Sequence, residues 1–208
     1  MDCDIFIYKL TADNGGAPCV MNDLLSLSIC KPRIRKSAKK GDWIIGMGGK
    51  SVKDLKGRLI YMAKITSIVD GNKYYSDKYK ERPDCIYKKN GRVYIWKKGS
   101  SYHSQENLTH DLGEYPNYDR AICLISDNFV YFGSNKAPSI EDIQDIYDEL
   151  PRDYRVKHNN CTRERLFRFI ENTTSKFGYG KHGDPTHIDM SKKCNLAEGD
   201  VLKCTRSC

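Results

Sequence analysis

The feature of this sequence that most constrains its fold is a change of pattern near residue 135. Before that point, short runs of β-branched and aromatic residues alternate with clusters of turn-forming residues, whereas afterwards apolar residues recur at helical spacing. Strands followed by helices are typical of α+β proteins. We therefore predict one α+β domain over residues 1–188, with a mixed β-barrel or curled sheet in 1–135, a helical closing segment in 136–175 and a C-terminal tail at 189–208.

The β-rich part contains several segments whose residue types favour strands. Asn90 and Gly91 form a strong signal for a tight hairpin. The run Leu24–Ile29 is ambiguous, and we expect a short helix there. The expected strands are Asp4–Tyr8, Gly41–Gly46, Arg58–Val69, Cys85–Tyr87 with Arg92–Trp96, and Ala121–Ile125 paired with Phe129–Phe132.

Two helices are expected in the closing segment. Ser139 begins a pattern that resembles a capping box, apolar residues follow it at helical spacing, and Pro151 ends the run. A second helix is expected from about Cys161 to Glu171, where basic residues alternate with apolar ones.

The formal charge of +8 is spread unevenly over the 208 residues. Residues 1–100 carry 21 basic and 10 acidic side chains, residues 101–150 carry 2 and 10, and residues 151–208 carry 12 and 7. Such blocks favour an anionic partner for the front of the chain, or blocks that neutralise each other in the fold. No apolar run approaches the roughly 20 residues that a membrane helix needs, so no membrane partner is expected.

The nine cysteines favour reduced thiols over a disulfide framework. Their number is odd, no CxxC pair occurs, and the acidic start of the chain does not resemble a secretory signal. A cytoplasmic location is therefore expected. Neither a cofactor nor a metal is expected, because the C-terminal candidates lack the paired spacings of zinc ligands. Those candidates are His182, His187, Cys194, Cys204 and Cys208.

Lys31 opens a segment in which six of ten residues are basic. If the segment is extended, Arg33 and Arg35 project on one side, where two guanidinium groups can bind phosphate. The turn that follows carries Asp42 and Trp43, and the indole ring offers a surface for stacking on a base. A solvated basic loop, with Trp43 as a core anchor, is the alternative, and the two interpretations weigh about equally.

Gly48 belongs to a glycine-rich turn, Gly46–Ser51, that offers backbone amides beside Lys50 as a phosphate site. The turn lacks the spacing of a complete phosphate-binding motif. A strand end that needs a positive φ is the simpler explanation.

Tyr102, His103 and Asp111 lie close together in sequence at the start of the acidic block. They can orient one another as a general base or as a reader of a base edge. A histidine in a polar loop is more often a hydrogen-bonding residue, so catalysis is the minority interpretation. No sequence signature of a nucleophile accompanies them.

Several of these segments occur in an order that resembles a known family. They are Asp13–Pro18, Cys30–Arg35, Ala38–Gly46 with Gly48, Tyr102–Ser104, and Leu124–Ser126 with Phe129–Gly133. The series resembles the second nucleotide-modification-associated domain family of phages and bacteria, over roughly residues 5–185. The resemblance implies a role in the modification of nucleotides or DNA bases and does not imply a particular reaction.

A looser likeness is to the PUA-like superfamily, which includes the EVE, ASCH and YTH domains. The turn at Gly41–Ile44 is similar to the turn that enters the barrel of those folds. The likeness implies a small β-barrel with added helices that holds a nucleotide or a modified base in an aromatic pocket.

These observations leave three functions open. The first, modestly favoured, is a module that binds a nucleotide or a modified base in DNA or RNA, with the basic segment on phosphate and Trp43, Tyr87 or Tyr102 on the base. The second is an enzyme that modifies a base or nucleotide, with His103 and Asp111 in acid-base roles. The third is a phage module that binds other proteins, whose identity the sequence does not indicate.

Overall fold

The computed structural model describes residues 3–52 and 54–185, and it confirms the predicted α+β class. In chain order the strands are β1 (Ile5–Leu10), β2 (Cys19–Met21), β3 (Leu24–Leu27), β4 (Trp43–Gly48), β5 (Leu59–Lys64), β6 (Ser67–Asp70), β7 (Tyr87–Asn90), β8 (Val93–Trp96), β9 (Ile122–Ser126), β10 (Asn128–Tyr131), β11 (Tyr154–Arg155) and β12 (Gly180–Lys181). The described strands form three sheets and do not close into a barrel.

The helices within the described residues are short except for the last. They are α1 (Pro32–Ser37), α2 (Gly71–Tyr74), α3 (Leu108–Leu112), α4 (Gln144–Asp148) and α5 (Asn160–Phe177), with single 3-10 turns at Asp77–Tyr79, Gln105–Asn107 and Glu141–Ile143. None of these helices has the length and apolar character that crossing a bilayer requires.

The central layer is a six-stranded sheet in the order β11-β1-β4-β5-β10-β12. Strands β1 and β4 are parallel and pair from Ile5 with Trp43 to Leu10 with Gly48, so their carboxyl ends lie at the same edge. Both strands are buried along nearly their whole length, as expected for parallel strands that are covered on both faces.

The two faces of the central sheet contribute to separate apolar clusters. One face packs on the closing helices, and its Ile45 belongs to the same cluster as Leu166 and Ile170 of α5. The other face packs on the four-stranded sheet β2-β3-β9-β6, and its Phe6 shares a cluster with Leu25 of β3. The helix α5 is thus held by burial of one apolar face.

Three local predictions are wrong, two of them because the chain crosses between the two sheets. Leu24–Leu27 forms strand β3, paired with β2 and β9, and not a helix. The segment Arg58–Val69 is divided into β5 and β6, which belong to different sheets. Strands β9 and β10 do not pair with each other for the same reason. At the crossing, Thr66 donates its backbone N–H to the carbonyl of Ile125.

The helix expected after Ser139 forms as the 3-10 turn Glu141–Ile143 followed by α4, but without the predicted capping box, because Ser139 donates its hydroxyl to Glu141 Oε1. Two other local predictions are confirmed with shifted boundaries. Strands β7 and β8 form the predicted hairpin, in which Asn90 pairs with Val93 and Gly91 adopts a φ of 60°. The second helix is longer than expected. Its first turn is capped by the Asn159 side chain, which accepts from the N–H of Thr162 at 2.8 Å.

Candidate functional site

A thiol, an imidazole and a carboxylate from separate segments meet just beyond the end of β3. Cys30 Sγ lies 3.3 Å from His103 Nε2, and His103 Nδ1 lies 2.5 Å from Asp111 Oδ2. A carboxylate only accepts hydrogen bonds, so the ring proton of neutral His103 resides on Nδ1 and leaves Nε2 to accept from the thiol. This is the order of contacts in which a base activates a cysteine nucleophile and an acidic residue orients the base.

The segment between β3 and α1 places Cys30 in an unusual backbone conformation. Cys30 and Lys31 both adopt positive φ values, 55° and 42°. A left-handed conformation costs a residue with a side chain roughly 1–2 kcal/mol. The Cys30 N–H donates to Asp111 Oδ1 at 2.9 Å, and this bond helps to hold the turn. Strained non-glycine residues cluster at functional sites, which supports a role for Cys30 beyond packing.

Asp111 is the centre of the arrangement, because its two oxygens hold both the backbone of Cys30 and the ring of His103. The carboxylate is fully buried, and Tyr87 donates its hydroxyl to Oδ2 at 2.7 Å. Burial opposes ionisation, yet the hydrogen bonds from His103 and Tyr87 and the charge of Arg35 hold the pKa of Asp111 below its ordinary value. The ionised carboxylate can therefore stabilise an imidazolium.

Tyr87 keeps its proton in this environment. Burial, followed by the charge of Asp111, raises the pKa of Tyr87 well above its ordinary value. The hydroxyl is therefore a permanent donor to Asp111 at any pH near neutrality.

Arg35 holds the backbone on both sides of the site. Its guanidinium, 1% exposed, donates from Nε to the Cys30 carbonyl at 2.7 Å and from Nη2 to the Asp111 carbonyl at 2.6 Å. Nη1 donates to the carbonyls of Arg120 and Ile122, both at 2.6 Å. Four of its N–H groups are thus engaged by the protein itself, and Arg35 positions Cys30 and Asp111 relative to each other.

The segment around Arg33 and Arg35 is helical and not extended, so the condition under which the two side chains would share one side is not met. At 100° per residue, the two side chains are about 200° apart on α1 and point to different sides. Arg33 is exposed and forms an ion pair with Asp153 at 2.8 Å.

A groove of about 540 Å³ is lined by chain neighbours of Cys30 and Asp111. We call it the cationic groove, and its basic lining residues are Lys9, Lys31, Arg33, Lys50 and Arg152. It lies where β1 and β4 end, and Gly49–Ser51 line it together with Thr11. Two of the lining residues connect the groove to the site. Lys31 directly follows Cys30 in the chain, and His110 directly precedes Asp111.

Asp42 and Trp43 lie away from this region. Asp42 precedes β4 and Trp43 begins it, whereas the groove lies at the other end of this six-residue strand, roughly 17 Å away. Asp42 accepts from the backbone N–H groups of Asp4 and Lys39 at 2.8 and 2.7 Å. Trp43 is 6% exposed within the apolar cluster beneath the helices. Both residues therefore stabilise the turn and the core in this structure.

Gly48 and Tyr102 also have clear packing roles. The Gly48 N–H donates to the carbonyl of Arg58, and a Cβ at this position would lie 2.0 Å from the carbonyl oxygen of Leu55. Tyr102 covers Gly16 so closely that a Cβ there would meet its ring at 2.7 Å. Burial raises the pKa of Tyr102 to about 12.

No pattern in the sequence marks Cys30 as a chemical group, although it begins the segment Cys30–Arg35. Lys9 and Arg152 were also missed, since each is an isolated basic residue in its own segment. Among the described residues, no group of three or more histidines, cysteines or acidic residues is arranged to hold a metal ion. The metal candidates His187, Cys194, Cys204 and Cys208 lie outside the described residues.

Comparison with known families gives one match. Residues 2–193 match the family model described as nucleotide modification associated domain 2, which confirms the resemblance noted in the sequence. No curated protein and no solved structure shows a significant match to the chain.

Proposed function

The chain belongs to the nucleotide modification associated domain 2 family, and from that premise we propose that it is an enzyme that modifies a nucleotide or a nucleic-acid base through Cys30. The observation that carries the proposal is the contact of Cys30 Sγ with His103 Nε2 at 3.3 Å, continued to Asp111 at 2.5 Å. A histidine with a purely structural role does not require both a thiol at one ring nitrogen and a buried carboxylate at the other.

In the proposed reaction the Cys30 proton passes to His103 Nε2, and the thiolate forms a bond to an electrophilic carbon of the substrate. The imidazolium, stabilised by Asp111, then returns the proton to the group that leaves this carbon. The product is a thio adduct on Cys30, which a second nucleophile releases with regeneration of the thiol. Both His103 and Asp111 keep the acid-base roles predicted from sequence, and Tyr87 and Arg35 position them.

The reactivity of the Cys30 thiol tests this proposal. We expect iodoacetamide to modify Cys30 faster than Cys161 at neutral pH, because Cys30 Sγ has a histidine base at hydrogen-bond distance and no such contact is described for Cys161. Peptide mass spectrometry measures both rates in one sample, so the exposed Cys161 is an internal control. His103→Ala and Asp111→Asn should slow modification of Cys30 and leave the rate at Cys161 unchanged. If Cys30 is modified at the same rate in the wild type and in both variants, the assignment of His103 and Asp111 as the groups that activate Cys30 is refuted.

A direct search for the adduct complements the alkylation rates. Wild-type protein incubated with a panel of nucleotides and oligonucleotides should gain mass on Cys30 or yield a nucleotide of altered mass, and Cys30→Ala should do neither. A free thiol of this kind persists in a reducing compartment, so a cytoplasmic location is part of the proposal.

The second candidate is a module that binds a nucleotide or modified base without chemistry. The cationic groove is the observation that favours it, since Lys31 and Arg33 line the groove as expected for phosphate contacts. Binding by the wild type, together with no product across the nucleotide panel and ordinary reactivity of Cys30, would favour this function over the enzyme.

A further inference from the structure

We propose that the cationic groove is a phosphate-binding site, and that the substrate of Cys30 is a phosphorylated nucleotide and not a free base or nucleoside. The link to Cys30 rests on the proposed function, whereas the phosphate site stands on the groove itself. Lys9, Lys50 and Arg152 are the residues that this proposal adds to the two basic residues predicted from sequence.

The first argument is the balance of charge in the groove. Five basic side chains line it, and Asp153 is the acidic residue among the lining groups. Arg33 and Asp153 form an exposed ion pair at 2.8 Å, so the carboxylate does not offset the remaining four cations. Cations collected in a concave surface focus the potential on an anion, and phosphate matches both guanidinium and ammonium donors.

The second argument is that the protein holds two of the lysines in place. Lys9 Nζ donates to the Leu150 carbonyl at 3.3 Å and lies 4.5 Å from the ring centre of Tyr147. Lys31 Nζ lies 4.9 Å from the ring centre of Tyr8. Lysines fixed by such contacts lose less conformational entropy on binding than freely rotating surface lysines.

The pKa of Lys9 agrees with this picture. Burial lowers it, the charge of Asp148 opposes that effect, and the neighbouring charges of Lys50 and Lys56 lower it further. An anion in the groove relieves this repulsion, so phosphate binding and protonation of Lys9 favour each other.

The third argument is position. In open sheets, ligands bind beyond the carboxyl ends of parallel strands, and the groove lies there for β1 and β4. Two of its lining residues are also chain neighbours of the proposed catalytic residues, since Lys31 follows Cys30 and His110 precedes Asp111. Consecutive Cα atoms are about 3.8 Å apart. A phosphate in the groove therefore lies next to the segment that carries the thiol.

The volume of about 540 Å³ lies within the range of small-ligand sites and accommodates a nucleotide or a short part of a strand. Phosphate is the chemistry common to a free nucleotide and a nucleic-acid strand, so both sources belong in the test. Suitable probes are thymidine, thymidine monophosphate, inorganic triphosphate and an oligothymidylate, each titrated by calorimetry.

The test compares two double variants that remove the same amount of charge. Lys50→Ala with Arg152→Ala truncates two exposed groove residues, and Lys88→Ala with Lys98→Ala truncates two exposed lysines elsewhere. We expect the groove variant to bind the phosphorylated probes at least tenfold more weakly, because charged phosphate contacts are lost. The control should change affinity by less than about twofold. For the oligonucleotide, the slope of log affinity against log salt should fall by about 1.4 in the groove variant.

Each outcome bears on the proposal. Tightest binding of triphosphate supports a free nucleotide as the ligand, and tightest binding of the oligonucleotide supports a strand. Thymidine that binds as well as its monophosphate, or equal effects of the two double variants, would overturn the phosphate site. These titrations involve no chemistry at Cys30, and the alkylation assay involves no nucleotide, so each proposal can fail while the other stands.

Discussion

Replacing Tyr87 by Phe removes one hydroxyl from the buried network around Asp111 and leaves a ring of nearly the same shape. The lost bond is 2.7 Å long, and both side chains are fully buried. A hydrogen bond to a charged group contributes about 1.5–3 kcal/mol. Asp111 still accepts hydrogen bonds from Cys30 and His103 in the variant, so the buried carboxylate keeps two of its hydrogen-bond donors. We therefore expect the free energy of unfolding to fall by about 2 kcal/mol at pH 7.

This loss should depend on pH in a defined direction. The pKa of Asp111 in the folded protein lies below its ordinary value, so ionised Asp111 stabilises the fold above roughly pH 4. That stabilisation disappears as the pH falls through the lowered pKa. Tyr87→Phe removes a donor to the carboxylate and raises this pKa. The difference between wild type and variant is therefore largest at neutral pH and shrinks in acid.

Urea denaturation followed by circular dichroism at neutral pH and near pH 3 measures both quantities. Tyr75→Phe is the matched control, because its buried hydroxyl donates to a neutral acceptor, the Ser28 carbonyl, at 3.0 Å. We expect the control to lose about 1 kcal/mol at either pH. Equal losses for the two variants at pH 7, or a Tyr87→Phe loss that does not change in acid, would refute an ionised Asp111.

Three further predictions concern the scaffold. Gly48→Ala places a Cβ 2.0 Å from the Leu55 carbonyl oxygen, so the backbone must move and the midpoint of urea unfolding should fall by the equivalent of about 3 kcal/mol or more. Asn159→Ala removes the cap of α5 and should cost about 1 kcal/mol in the same assay, whereas Asn159→Asp should retain most of it. Burial lowers the pKa of His158, so the unfolded chain takes up its proton first, and stability should fall as the pH drops below about 6.5. His158→Gln should reduce the dependence of the unfolding free energy on pH in this range, and an unchanged dependence would contradict the role given to His158.

The fold could be predicted from sequence wherever local pattern and final environment agree. The hairpin at Asn90 and Gly91 and the capped amphipathic helix α5 are such cases. Strand β3 is the opposite case: its Leu25 and Leu27 fit either period over so short a run, and pairing with β2 and β9 decides the outcome. No local pattern marks the point at Thr66 where the chain changes sheets.

In the candidate site, too, some residues could be predicted from the sequence and others depend on the folded chain. His103 and Asp111 are eight residues apart and could be proposed together from the sequence. Cys30 is 73 residues from His103, and only the folded chain brings the thiol to the imidazole. Arg35 was assigned to phosphate because a sequence reports charge and not burial. Its side chain is in fact enclosed and bonded to backbone carbonyls.

The helix α1 explains how one basic segment serves two purposes. Arg35 and Lys36 face the acidic part of the chain, where Arg35 binds backbone carbonyls and Lys36 forms an ion pair with Asp119 at 2.5 Å. Lys31 and Arg33 line the groove instead. Mutual neutralisation therefore applies to Lys36 and to Arg33, which forms an ion pair with Asp153, and the proposed anionic partner rests on Lys31 within this segment. Because Arg35 also donates to the Cys30 carbonyl, the enclosed part of the segment and the part that lines the groove are joined at Cys30.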